Sequence, residues 1–153
     1  GLKESSGDLE SLRQLFTELG EREFSVMLGA PALLTQGLSL GATGGIFAVA
    51  ALAPRACCEA IRSFQNQQTE RAQRIQERLA ALAKAVAVPG VGWLKAALDM
   101  CGMYGFMPRS PLPAPDDEAR AAIEQAIMDS GFFARVLDHL PFQERDDLRE
   151  VEF

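Results

Sequence analysis

Residues 24–54 carry no formal charge for 31 consecutive positions, and no other feature of the chain narrows its fold as much. A run of that length is long enough to raise a membrane-spanning reading. It is interrupted by Gly29, Pro31, Gly37, Gly41, Gly44 and Gly45, and it contains Thr35, Gln36, Ser39 and Thr43. A chain that turns several times inside hydrocarbon leaves backbone polar groups unpaired, which lipid does not tolerate. Two short buried strands flanking a short helix account for the run better. Parallel strands covered on both faces lose their polar alternation and become continuous apolar segments. No membrane partner is expected.

The flanking pattern extends this reading. Residues 1–5 read as a strand, followed by the turn Ser6-Gly7-Asp8, which supplies Asp8 as a helix N-cap. Leu9, Leu12, Leu15, Phe16 and Leu19 mark one helical face, and Gly20 closes it. Residues 24–28 form the second predicted strand, 32–40 a short helix ended by Gly41, and 44–49 a third strand. Pro54 opens the next helix. Strands separated by helices of this length imply parallel βαβ units with right-handed crossovers.

From there the pattern is helical. Ile75, Leu79, Leu82 and Val86 form the stripe of a long helix over 67–88, broken by Pro89-Gly90. Trp93, Leu94, Ala97, Leu98 and Cys101 mark a further helix, which gives way to a loop over 102–115 with four prolines. Asp116 caps a helix carrying Ala119, Ala122, Ile123, Ala126 and Ile127. The charge-rich stretch 143–153 is expected to fray. Three parallel strands are too few to stand alone, because they expose two apolar edges and at least one uncovered face. Such a chain either pairs with copies of itself or continues a sheet whose other strands precede Gly1. The opening Gly1-Leu2-Lys3, inside a strand and without an initiator Met, favours a piece of a longer protein.

Charge and cysteine content exclude several functions. A formal net charge of −6 argues against a non-specific nucleic-acid binder, which needs a basic footprint, and against docking on an anionic membrane. Cys57, Cys58 and Cys101 are odd in number and two are adjacent, so they are no disulfide framework. With no basic segment followed by a short apolar core at the start, the expected compartment is the cytoplasm.

Lys3 is the residue with chemical potential. Period 2 places Gly1, Lys3 and Ser5 on one strand face, with Leu2 and Glu4 on the other. If Leu2 faces the helix layer, Lys3 points to the inner face at the strand's carboxyl end, where α/β proteins place their sites. Only a neutral amine attacks a carbonyl, and at an ordinary pKa of about 10.4 fewer than one lysine in a thousand is neutral at pH 7. Burial disfavours the charged form and so makes a Schiff-base lysine. The competing reading is a strand-end lysine that snorkels to solvent or pairs with Glu4 or Asp8.

The remaining candidates read blandly. The segment Gly41-Ala42-Thr43-Gly44-Gly45 lacks the Gly-Lys-Ser/Thr of a phosphate loop and reads as a turn. Cys57 and Cys58 lack metal-ligand spacing and read as small core residues, so no metal site is expected. His139 reads as a surface residue, while Arg109 is either structural or a carboxylate contact. Trp93 and the Met-rich residues 100–107 read as helix packing.

The octet Gly1-Leu2-Lys3-Glu4-Ser5-Ser6-Gly7-Asp8 closely resembles the sixth-strand motif of the dihydrodipicolinate synthase/N-acetylneuraminate lyase superfamily. The resemblance continues through Val26-Met27-Leu28-Gly29, Leu40-Gly41-Ala42-Thr43-Gly44-Gly45-Ile46 and Ala53-Pro54. It extends to Val88-Pro89-Gly90-Val91 and Arg109-Ser110-Pro111-Leu112, and so over about residues 1–133. Gly29-Ala30-Pro31 departs from the commoner Gly-Asp-Asp or Gly-x-Asp, and Ala51 stands where many relatives have Asn.

The resemblance implies an α/β fold, the C-terminal part of a (β/α)8 TIM barrel. Residues 1–55 would be strands six to eight, 56–133 the final barrel helix and a C-terminal helical extension, and 134–153 a charged tail. It implies that Lys3 forms an imine with pyruvate or another 2-oxo acid, with Ile46 beside the bound acid and Gly45 giving it room. The implied enzyme is a Schiff-base lyase or aldolase, first of all like 4-hydroxy-tetrahydrodipicolinate synthase. Alternatives are a 4-hydroxy-2-oxoglutarate aldolase, an N-acetylneuraminate lyase, or a non-catalytic half-barrel module. No cofactor is implied; the partners are the 2-oxo acid, an aldehyde co-substrate and further copies of the chain in a dimer or tetramer. The family's Thr pair and relay tyrosine would precede Gly1, Tyr104 does not match the relay motif, and these residues alone are expected to be inactive.

Overall fold

A computed structural model of the chain describes residues 1–133. Two compact units divide the described residues, the first over 1–84 and the second from residue 85 onward. The expectations for His139 and for the charged tail over 134–153 lie outside the described residues.

The first unit is built on a three-stranded parallel sheet of β1 (Leu2–Glu4), β2 (Val26–Leu28) and β3 (Gly44–Gly45), in the order β1-β2-β3. Helix α1 (Leu9–Leu19) connects β1 to β2. Its start is set by Asp8, whose carboxylate accepts from the backbone N–H groups of Glu10 and Ser11. The Ser11 hydroxyl, which also donates to this carboxylate, and with it these two N–H groups hold the Asp8 carboxyl below its usual range. A single-turn 3-10 helix (Pro31–Leu33) runs into α2 (Leu34–Leu40), which ends on Gly41 in the left-handed region.

The third strand is shorter than the sequence implies. Pairing stops at Gly45, and Ala48–Ala51 wind into a 3-10 helix that takes Val49 out of the strand and buries it. The segment Ala48-Val49-Ala50-Ala51 has one β-branched residue and favours a turn over a pleat. Helices α3 (Pro54–Gln65) and α4 (Thr69–Val86) follow. Leu12, Val26, Leu28, Leu34, Leu79 and Leu82 are essentially inaccessible to solvent. Burial of one such side chain contributes about 1.5–3 kcal/mol.

The second unit holds α5 (Val91–Met100) and α6 (Asp117–Ser130), which pack on each other and bury Ala96, Ala97, Ile123 and Ile127. Asp116 caps α6 by accepting from the Ala119 N–H at 2.9 Å. Gly92 is required, because a Cβ there would run into the Pro113 carbonyl. The Asp99 carboxylate accepts from the N–H groups of Gly105 and Phe106 at 2.8 and 3.2 Å. The intervening Met-rich stretch does not pack as the sequence suggests. Tyr104 and Met107 are 82% and 73% exposed, and Tyr104 stacks edge-on against Phe106. Among the described residues no single helix is long and apolar enough to cross a membrane.

Candidate functional site

The two faces of the sheet are told apart by α2. A Cβ on Gly37 would lie 2.5 Å from the Leu28 Cδ1, so the Val26/Leu28 face carries the helices. Side chains alternate along a strand and paired positions in a parallel sheet share a face. Met27 therefore projects to the opposite, helix-free face, and the register aligns Lys3 with Met27 and Met27 with Gly44. Lys3 thus lies on the face of the sheet opposite α2, one residue from the carboxyl end of β1.

The ladder continues one step past the assigned strands. Gly29 N–H donates to the Glu4 carbonyl at 2.5 Å and Ile46 N–H to the Leu28 carbonyl at 2.8 Å. This places Ser5, Gly29 and Ile46 in a second row, nearer the strand ends than Lys3. Glycine is needed at position 29 because a Cβ would collide with the Ser5 hydroxyl and lie 2.8 Å from the Glu4 carbonyl. Beside Lys3, the Met27 thioether leans over β3. Its Cε would lie 3.4 Å from a Cβ on Gly44, and its Sδ is 3.3 Å from the Thr43 hydroxyl.

The predicted site residues meet this geometry unequally. Ile46 is 51% exposed on the same face as Lys3. At Gly45 the space left by the missing side chain is filled by the Phe47 ring, so the room it provides accommodates Phe47. Lys3 is exposed, and the burial expected from the sequence is not supplied by the described residues. Of the competing reading, the solvent-facing side chain is present and the pairing with Glu4 or Asp8 does not form. Glu4 accepts from the Ser6 N–H at 2.6 Å and Asp8 is committed to its helix cap. Among the described residues no carboxylate lies within salt-bridge distance of Lys3.

The other candidates lie on other elements. Cys57 is buried in α3, and burial, with a smaller contribution from Cys58, pushes its thiol up to about 11. Cys58 is exposed rather than packed in the core. Arg109 is exposed in the second unit. No three His, Cys, Asp or Glu side chains gather into a possible metal site among the described residues.

One residue escaped the sequence reading. Gln76 of α4 is 7% exposed, and its amide spans the start of α2. The Thr35 N–H donates to Gln76 Oε1 at 2.7 Å, and Gln76 Nε2 donates to the Ala32 carbonyl at 2.8 Å. The available signal was a polar side chain interrupting the buried stripe Ala72, Ile75, Leu79, Leu82.

Comparison with known proteins gives these residues a context. The family model described as the dihydrodipicolinate synthetase family matches residues 1–130. A 4-hydroxy-tetrahydrodipicolinate synthase of Methanothrix thermoacetophila is 33% identical over 131 residues, covering 82% of this chain and 43% of the relative. The crystal structure of a putative dihydrodipicolinate synthase from Thermus thermophilus matches with 35% identity and a TM-score of 0.73, over 86% of this chain and 47% of that one. YagE, a prophage protein of the dihydrodipicolinic acid synthase family from E. coli K12 crystallised with pyruvate, shares the fold at 20% identity. Its TM-score is 0.74, over 85% of this chain and 45% of that one. The solved structures are TIM-barrel proteins, and this chain spans less than half the length of the relatives it matches.

Proposed function

Because the chain belongs to the dihydrodipicolinate synthetase family, we propose that it supplies the nucleophilic lysine of a pyruvate-dependent lyase, with Lys3 as that residue. The observation that carries the reading is the position of Lys3: on the helix-free face of three parallel strands, near their carboxyl ends and without an ion-pair partner among the described residues. In this reading the strands are six to eight of a (β/α)8 barrel, and the remaining strands close over Lys3 and remove it from water.

The neutral Nζ attacks C2 of pyruvate to give a carbinolamine, which expels water and leaves a protonated imine. Loss of a proton from C3 forms an enamine, and the iminium nitrogen takes up the electron pair. The enamine carbon then adds to the carbonyl of an aldehyde, and hydrolysis returns the lysine. The aldehyde proposed first is aspartate semialdehyde, as in 4-hydroxy-tetrahydrodipicolinate synthases, with cleavage of a 4-hydroxy-2-oxo acid or a sialic acid as alternatives. Gly45 and Ile46 border the acid through their backbone, and no organic cofactor enters the step. The intact protein is placed in the cytoplasm as a homo-oligomer, and these 153 residues alone are proposed to be inactive.

The test is reductive trapping. The protein that carries this chain is incubated with pyruvate and borohydride, digested and weighed. The peptide containing Lys3 is expected to gain the mass of one reduced pyruvyl group, and Lys3→Ala to abolish the gain. The exposure of Lys3 and the two free edges of the sheet favour a second reading, a non-catalytic module. An unmodified Lys3 peptide from the intact protein would establish that reading instead.

A further inference from the structure

We propose that Gln76 is a positioning residue for the second substrate, holding the segment after β2 at a fixed height over the mouth of the site. The inference rests on the Lys3 reading above. Three observations carry it. Gln76 reaches Thr35 and Ala32 across sequence separations of 41 and 44 residues and satisfies a donor and an acceptor with one amide. The Thr35 N–H belongs to the first turn of α2, where the helix itself provides no partner. The clamped turn is also continuous with the site. Only Ala30 and Pro31 separate Ala32 from Gly29, whose N–H is bonded to the Glu4 carbonyl immediately after Lys3.

A buried amide is an expensive way to fill space, since each unpaired polar atom carries a desolvation cost that an apolar side chain avoids. Gln76 occupies a position where the stripe of α4 otherwise uses Ala, Ile and Leu. What the amide adds over a leucine is direction: it fixes α4 to the Pro31–Leu33 turn at Ala32 and to the first turn of α2 at Thr35. In the proposed function the acid sits between Lys3 of β1 and the Gly45–Ile46 segment of β3; β2 lies between those strands and runs parallel to them, so the turn after it leaves from the same carboxyl ends and is placed to meet the incoming aldehyde. Loss of the clamp therefore acts on the aldehyde step and spares imine formation.

The experiment uses the intact protein with pyruvate and aspartate semialdehyde, comparing the unaltered enzyme with Gln76→Met and Gln76→Glu. Gln76→Met, which keeps the length and loses both bonds, is expected to raise the aldehyde KM about tenfold. Trapping of pyruvate at Lys3 should remain within twofold, and the Thr35 amide should exchange at least tenfold faster. Gln76→Glu separates direction from bulk. A protonated carboxyl replaces both bonds, accepting from Thr35 and donating to Ala32, whereas the carboxylate replaces one; neither partner titrates. Its aldehyde KM is expected to approach the unaltered value as the pH is lowered and to rise with pH, measured against the unaltered enzyme at each pH. An unchanged KM in folded Gln76→Met overturns the proposal, as does an equal loss of trapping and turnover. If the unaltered protein forms no adduct at Lys3, the Lys3 reading fails first, and the role of Gln76 falls with it.

Discussion

Side chains next to one another in the sequence differ sharply in reactivity. Cys57 faces the interior of α3, and its thiol, raised to about 11, is about one part in a thousand thiolate at pH 8. Cys58, its neighbour, is open to solvent and so to reagent. Iodoacetamide at pH 8 is expected to label Cys58 at least tenfold faster than Cys57, as read by peptide mass spectrometry over time. Equal rates would show that α3 opens to solvent on the timescale of labelling. The sequence grouped the two thiols as core residues because adjacency carries no facing information until the helix phase is fixed. Gln76 was hidden for a different reason. Its partners are more than 40 residues away, and no local pattern encodes a bond at that separation. The face of Lys3 was legible because the strand period fixes it. Its expected burial is not met by the described residues, because a strand period says which face a side chain takes and nothing about what covers that face.

Helix ends were the most readable elements and strand ends the least. Asp8, Gly41 and Asp116 terminate helices where the sequence puts them, because a cap is a local arrangement of one side chain and a few N–H or C=O groups. The third strand was overestimated, because continuous apolar composition does not distinguish a pleat from a 3-10 turn. The Asp8 cap has a testable pH signature. Its carboxyl is lowered in the folded state, so its stabilisation is complete above the ordinary value of 3.8 and is lost as the pH falls through the folded value. Asp8→Ala is expected to melt about 2–4 °C lower at pH 7, and the gap should narrow below pH 3.8, as followed by circular dichroism. A gap independent of pH would mean that the hydrogen-bonding charge is not what stabilises α1.

At the scale of the whole molecule, the order of the strands in space repeats their order in the chain. Each connection in the sheet is a single helical crossover between neighbours, and no strand from elsewhere among the described residues is interleaved. The arc is therefore bounded by one side of β1 and one side of β3, and both seams are rows of main-chain donors and acceptors. On the function proposed above, joining it to the other strands of a barrel takes pairing along those rows and no covalent continuity. Co-expression of these 153 residues with the preceding half of a family relative, as two separate polypeptides, is expected to restore pyruvate-dependent turnover that neither piece has alone. Lys3→Ala in the shorter piece should remove it. On the function proposed above, a barrel divided at such a seam is a heterodimer, and its activity is a measure of how much of each half is made.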